Sequence, residues 1–206
     1  MPENLVEWIR TAGLRRSVRA GVTLAHRGAR ADSVLLVEQG SIFLERFEAD
    51  GNLLPISVRG RGSLVGLSAA ILDGPYELDA TPRIDAEIVV VTASSVRALM
   101  ASPEHSPLVA RALAAEALIF ADRCAALRSK TVRHRVLSAL AELCDGAIAY
   151  PVIVALPMQE LAAIVGADLT HVCRVMRALR DEGIVDYGKR RLAICSRIQS
   201  VGETFD

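Results

Sequence analysis

Short apolar runs broken by turn residues fill the first half of the chain, and a helical repeat replaces them near residue 107. The runs Ser33–Val37, Ser41–Phe47, Leu53–Val58 and Glu87–Val91 read as strands. Gly21, Gly28, Gly40, Asp50-Gly51-Asn52, Gly60, Gly62 and Asp73-Gly74-Pro75 lie between them. Asp-Gly flanked by two such runs predicts a hairpin, because the turn needs residues that tolerate positive φ. Several short strands at this spacing predict a small antiparallel roll or sandwich. Residues 1–17 read as a short amphipathic lead-in, with Leu5, Val6, Trp8 and Ile9 near Arg10, Arg15 and Arg16.

From Pro107 to Leu127 the period is helical. Val109, Leu113, Ala117, Phe120, Cys124 and Leu127 recur at intervals of 4, 4, 3, 4 and 3, an apolar stripe along one side of a helix. A second row, Ala112, Ala115, Ile119, Asp122 and Ala126, is small and mostly apolar. The first stripe suits a dimer seam, and it equally suits burial within the chain. A basic joint, Arg128 to Arg135, leads into a further helix over Val132–Leu143, and a loop follows from Asp145 to Pro157.

Residues 156–194 carry the most specific pattern. Pro157 stands where a helix starts, since its missing N–H is not needed there. Leu161, Ile164 and Val165 form an apolar face, and Gly166 closes that helix with positive φ. Asp168 caps a second helix whose buried face is Val172, Val175, Met176 and Leu179. Two short helices joined by a tight glycine turn make a helix-turn-helix. The opposite face of the second helix carries Thr170, His171, Arg174 and Arg177. In such a unit this face enters the major groove, where arginine donates two hydrogen bonds to guanine. Ile184–Tyr187 and Leu192–Ile194 read as a hairpin with Lys189, Arg190 and Arg191 at its tip, a wing suited to phosphate contact.

Charge sharpens this picture. Over the 206 residues, 24 Lys and Arg balance 24 Asp and Glu, which excludes a globally basic nucleic-acid binder. From Arg128 to Arg197, however, 11 basic residues face 7 acidic ones, a local net of +4. A hydrophobic content of 51% supports a proper core. The four cysteines, at 124, 144, 173 and 195, and the scattered histidines match no zinc, thioredoxin or iron–sulfur spacing. No cofactor or metal is expected, nor an enzyme. A cupin-type metal site needs converging histidines and the strand region offers His26 alone, while Asp32-Ser33 near His26 lacks a nucleophile elbow. The absence of a signal peptide and of any apolar run near 20 residues predicts a cytoplasmic protein with free thiols and no membrane contact.

With these parts in place, the chain resembles the catabolite-activator/fumarate-nitrate (CRP/FNR) superfamily of bacterial transcription regulators. Gly28-Ala-Arg-Ala-Asp-Ser-Val-Leu-Leu-Val-Glu-Gln-Gly40-Ser-Ile is similar to the start of that family's cyclic-nucleotide-binding roll, and Gly66-Leu-Ser-Ala-Ala to its phosphate-cassette helix. Residues 108–130 resemble its dimerisation helix and 156–194 its winged helix-turn-helix. The resemblance implies an α+β fold: a jelly-roll-like antiparallel sensor roll over 1–106, a long dimerisation helix over 107–130, and a winged helix-turn-helix over 131–206. It implies a homodimer on a palindromic double-stranded DNA site, with RNA polymerase as a further partner. Arg174 matches the family's base-reading arginine, while Gln159, Thr170, Arg177 and the wing cations fall near phosphate-contacting positions. Leu169-Thr170 replaces the family's usual base-reading pair, so the half-site need not be the common one.

The effector region departs further from that family. Gly66-Leu67-Ser68 stands where cyclic-AMP binders carry Gly-Glu-Leu, and Tyr76-Glu77 where they carry Arg-Ser. Leu67 accepts no hydrogen bond from a ribose, and Glu77 repels a phosphate. Phe120-Ala121 replaces the polar pair that meets the adenine. Cyclic AMP is therefore not the expected effector. Arg83 and Ser68 remain candidates to hold another anion, and the alternative is a vestigial pocket filled by Leu67, Ile71, Leu72 and Tyr76. Cys173 on the recognition helix is a candidate thiol for oxidation or a simple packing residue. The competing functional reading is a ligand-binding or scaffolding roll whose helix-turn-helix meets other proteins.

Overall fold

A computed structural model describes residues 4–47, 53–144, 150–188, 191–196 and 198. The chain opens with helix α1 (Leu5–Ala12), whose first turn is closed by Asn4 accepting from the Glu7 N–H at 3.0 Å. It continues into strand β1 (Leu14–Val18), which pairs antiparallel with β7 (Ala86–Thr92). β7 in turn pairs with β2 (Ser33–Gln39), and β2 with the two-residue β5 (Leu64–Val65). A second sheet has the order β4-β3-β6, from Leu53–Arg59, Ile42–Phe47 and Asp79–Pro82. β3 and β4 form the expected hairpin, although its Asp50-Gly51-Asn52 turn lies outside the described residues.

The unbroken apolar runs of β2 and β7 follow from covering both faces of the first sheet. Leu35, Val37 and Ile88 point into the roll, where they join Ala25, Ile42, Tyr76 and Ala80. Val34, Leu36, Val89 and Val91 point the other way. There they meet Leu5 and Ile9 of α1, Leu67 of α2 (Leu67–Ile71), and Val96 and Leu99 of α3 (Ala93–Ala101). The long helix α4 (Ser106–Ser129) starts in this outer core: Val109 is fully buried there and Leu113 half-buried. Val109 thus packs inside its own chain and offers no surface to a second copy, contrary to its place in the expected seam. Further along α4, Leu118, Ile119 and Phe120 are 67, 47 and 69% exposed, while Arg123 reaches back to Ser57 and Val58 of β4.

A third core joins α5 (Val132–Cys144), α6 (Met158–Val165), α7 (Leu169–Asp181) and a small sheet of order β8-β10-β9. Its strands are β8 (Val152–Val154), β9 (Val185–Tyr187) and β10 (Leu192–Ile194). Phe43 and Val58 of the roll are fully buried in this same core.

Two expectations are corrected: the lead-in includes β1, an edge strand, and the segment expected as a loop before Pro157 contains β8. The structure adds three elements with no sequence expectation behind them: α3, which follows β7 directly, and β5 and β6, which complete the two sheets of the roll. Among the described residues no helix is long and apolar enough to cross a membrane, and no group of His, Cys, Asp and Glu is arranged to hold a metal ion.

Candidate nucleic-acid interface

The helix-turn-helix forms where its punctuation residues stand. α6 begins after Pro157 and ends at Gly166, whose φ of +58° is left-handed. A side chain at Gly166 would also collide, since an added Cβ would lie 2.7 Å from Leu127 Cδ2 of α4. Arg135 Nη1 donates to the carbonyls of Val165 and Gly166 at 2.8 and 3.0 Å, placing a cation at the negative end of α6. Asp168 Oδ1 accepts from the Thr170 N–H at 2.8 Å and starts α7. That bond, with help from the His171 N–H, holds the Asp168 carboxyl below its ordinary pKa.

α7 then divides by face. Val172, Met176 and Leu179 are buried in the third core. Thr170, His171, Arg174 and Arg177 are all exposed on the other side. The side chains of Arg174 and Arg177 make no ion pair or hydrogen bond with a described residue, so both guanidinium groups keep their donors for an outside acceptor. Cys173 sits between the two faces, half-buried. At the far end Arg133 of α5 bonds Glu182 at 2.7 Å, and Arg180 lies 4.9 Å over the Tyr187 ring. Gln159 is exposed on the first turn of α6. The wing closes with the Gly188 N–H donating to the Arg191 carbonyl at 2.8 Å, and Arg191 is exposed. Lys189 and Arg190 lie outside the described residues.

Of the residues expected around an effector, Gly66 and Tyr76 meet and the others diverge. Tyr76 is buried inside the roll, where its hydroxyl donates to the Ser33 carbonyl at 2.8 Å and accepts from the Ser33 N–H at 3.3 Å. Gly66, at φ +82°, lies flat against that ring, and an added Cβ would meet Tyr76 Cε1 at 2.7 Å. Leu67 turns to the outer core instead. Ser68 and Glu77 face solvent, Leu72 is 78% exposed, and Phe120 stands out on α4. Arg83 points away altogether: it bonds Glu45 and Glu160 between the roll and α6. The pocket cation expected there is therefore a bridge between two parts of the fold. Periodicity carried no signal for this bridge, because Arg83 and Glu160 are 77 residues apart.

Comparison with known proteins agrees with this architecture. Residues 15–102 match the family described as "Cyclic nucleotide-binding domain", and residues 134–198 match "Crp-like helix-turn-helix domain". The Cyclic AMP receptor protein of Thermus thermophilus is 29% identical over 178 residues, covering 84% of this chain and 80% of that one. Among solved structures, FixK2 of Bradyrhizobium japonicum superimposes with a TM-score of 0.65 at 23% identity, covering 90% of this chain and 93% of its own. A CRP/FNR family transcriptional regulator of Thermus thermophilus does so with a TM-score of 0.66 at 22% identity, covering 89% and 94%. With a cyclic-nucleotide-binding roll followed by a Crp-like helix-turn-helix, this chain belongs to the CRP/FNR family of transcriptional regulators.

Proposed function

We propose that the protein acts as a cytoplasmic homodimer on a palindromic double-stranded DNA site, and that it does so without cyclic AMP. The observation that carries the DNA reading is α7: a buried apolar face, and opposite it two arginines with no partner among the described residues. Arg174 is the base reader in this reading, and Gln159, Thr170, His171, Arg177 and the wing cations Lys189, Arg190 and Arg191 surround it. The dimer seam is the exposed part of α4. Ala117, Phe120 and Cys124 lie on it, and Leu118 and Ile119 widen it. Leu127 is half-exposed beside the Gly166 turn and serves both sides. The functional units are then the sensor roll over 1–106, the seam helix over 107–130 and the DNA-binding unit over 131–206, with RNA polymerase the partner at a promoter.

Independence from cyclic AMP is supported by the effector region itself. Its tyrosine is satisfied internally by Ser33, its glycine is covered by that ring, and its carboxylate Glu77 would repel a phosphate. Asp73, at φ 53°, is gripped by Arg30 at 2.9 Å and Arg97 at 3.2 Å, which pins the chain just after α2.

The test is selection of random duplex DNA by the purified protein with no ligand added. A palindrome with half-sites about ten base pairs apart is expected. Enrichment only after cyclic AMP is added would overturn the ligand-free part. Binding that does not weaken as salt rises would overturn the DNA reading and favour protein contacts, since phosphate binding must release counterions.

A further inference from the structure

We propose that Arg83 is a positioning residue for DNA recognition: it seats α6 on the roll and thereby fixes the separation of the two recognition helices. This rests on the reading of α7 as the DNA-facing helix. Arg83 follows β6 in the roll, and its side chain is only 12% exposed. One guanidinium nitrogen bonds Glu45 of β3 at 2.6 Å, and the other bonds Glu160 in the first turn of α6 and the Ala155 carbonyl at 3.3 Å. The plane lies 4.4 Å over the ring of Phe43, which is itself buried in the DNA-binding unit's core. Glu160 is next in sequence to the exposed Gln159, so the tie is made at the start of the helix-turn-helix.

A single tie would leave the unit free to swivel. Three separate attachment points, added to the packing of Phe43 and Val58 into the same core, restrict that freedom. The first is the covalent joint at Lys130-Thr131 between α4 and α5. The second is Arg123 of α4, which bonds both oxygens of Glu142 on α5 at 2.8 Å while also holding Ser57 and the Val58 carbonyl of β4. The third is Arg83. Arginine suits this place because its planar fork serves several acceptors at once and stacks on an aromatic face. Without it, two carboxylates that share one cation, Glu45 at 5% and Glu160 at 22% side-chain exposure, face each other unneutralised. The roll would then push α6 away.

A residue that only added stability would change how much protein is folded. A residue that sets orientation changes which half-site spacing is preferred. The experiment compares the parent, Arg83→Met, Arg83→Lys and Glu160→Ala on duplexes bearing the selected half-sites at the selected spacing and at one base pair more or less. Each added base pair moves a half-site by roughly 3.4 Å and rotates it by about 34°. The parent is expected to favour its own spacing by about tenfold or more, the size of effect one wrong base pair produces. In Arg83→Met and Glu160→Ala this preference collapses towards unity while the half-site sequence is still read; Arg83→Lys keeps part of it. Glu160→Ala leaves the Arg83–Glu45 pair intact, so it carries the test even if Arg83→Met does not fold. Retention of the parental preference in Glu160→Ala overturns the proposal, and so does loss of half-site reading together with spacing. A parent that enriches no DNA overturns the DNA reading itself, a different outcome from a parent that binds with variants that are indistinguishable from it.

Discussion

The effector region and the recognition helix treat their polar groups in opposite ways. Around Gly66 and Tyr76 the hydrogen-bonding capacity is spent inside the protein: the tyrosine hydroxyl meets Ser33 and the ring covers the glycine. On α7 the capacity faces outward, and Arg174 and Arg177 have no described partner. A site that binds something must keep donors unsatisfied until the ligand arrives, whereas a site that has become core must satisfy them at once. By that criterion the proposed independence from cyclic AMP and the proposed reading role of α7 rest on the same physical contrast.

Four perturbations, from largest to smallest effect, break or sharpen this contrast. Tyr76→Ala should destabilise the fold by about 3–5 kcal/mol, as truncation of a buried aromatic does, read by urea denaturation. A loss below ~1 kcal/mol would mean that the ring lines a usable pocket. Arg174→Ala should leave stability unchanged and cost about 1–3 kcal/mol of discrimination at one base pair per half-site, read by competition binding. Tyr76→Phe should lose about 1 kcal/mol of stability, because the Ser33 carbonyl keeps its place without its donor. Arg191→Ala should weaken binding evenly across sequences and reduce the salt slope by about one.

Acid offers a fifth test on the reader's side. The folded Asp168 carboxyl lies below its ordinary pKa because it accepts from the Thr170 N–H. A depressed carboxyl contributes stability above its unfolded pKa and loses it as pH falls through the folded value. Asp168→Ala should therefore lower the melting temperature at neutral pH, and its difference from the parent should shrink below the ordinary aspartate range. A difference constant with pH would place the cap's effect elsewhere.

Legibility followed sequence distance. The helix-turn-helix was readable because its determinants are neighbours: Pro157, Gly166 and Asp168 mark its ends, and α7 shows its face within 13 residues. β2 and β7 were readable from their apolar runs. β1 was not, since Leu14-Arg-Arg-Ser-Val has four exposed residues and becomes a strand by pairing with β7. α3 had a signal that went unused: Thr92 caps it, and Ala93, Val96 and Leu99 recur at intervals of 3. Arg83 and Arg123 were beyond local reading, because each meets acceptors far along the chain. The same distance explains the misplacement of Val109 and Leu67, whose apolar character announces burial without saying in which core.

Phe43 and Val58 lie in the same core as the helix-turn-helix. Regulators of this kind invite transplantation, in which one protein's reading head is grafted onto another's sensor. Here the boundary runs through a packed interior. A head cut at Lys130 would carry away a hollow shaped for Phe43 and a carboxylate cut to fit Arg83. A successful graft would have to bring the β3–β4 hairpin with it, and in heat the donor protein should melt in one step rather than two.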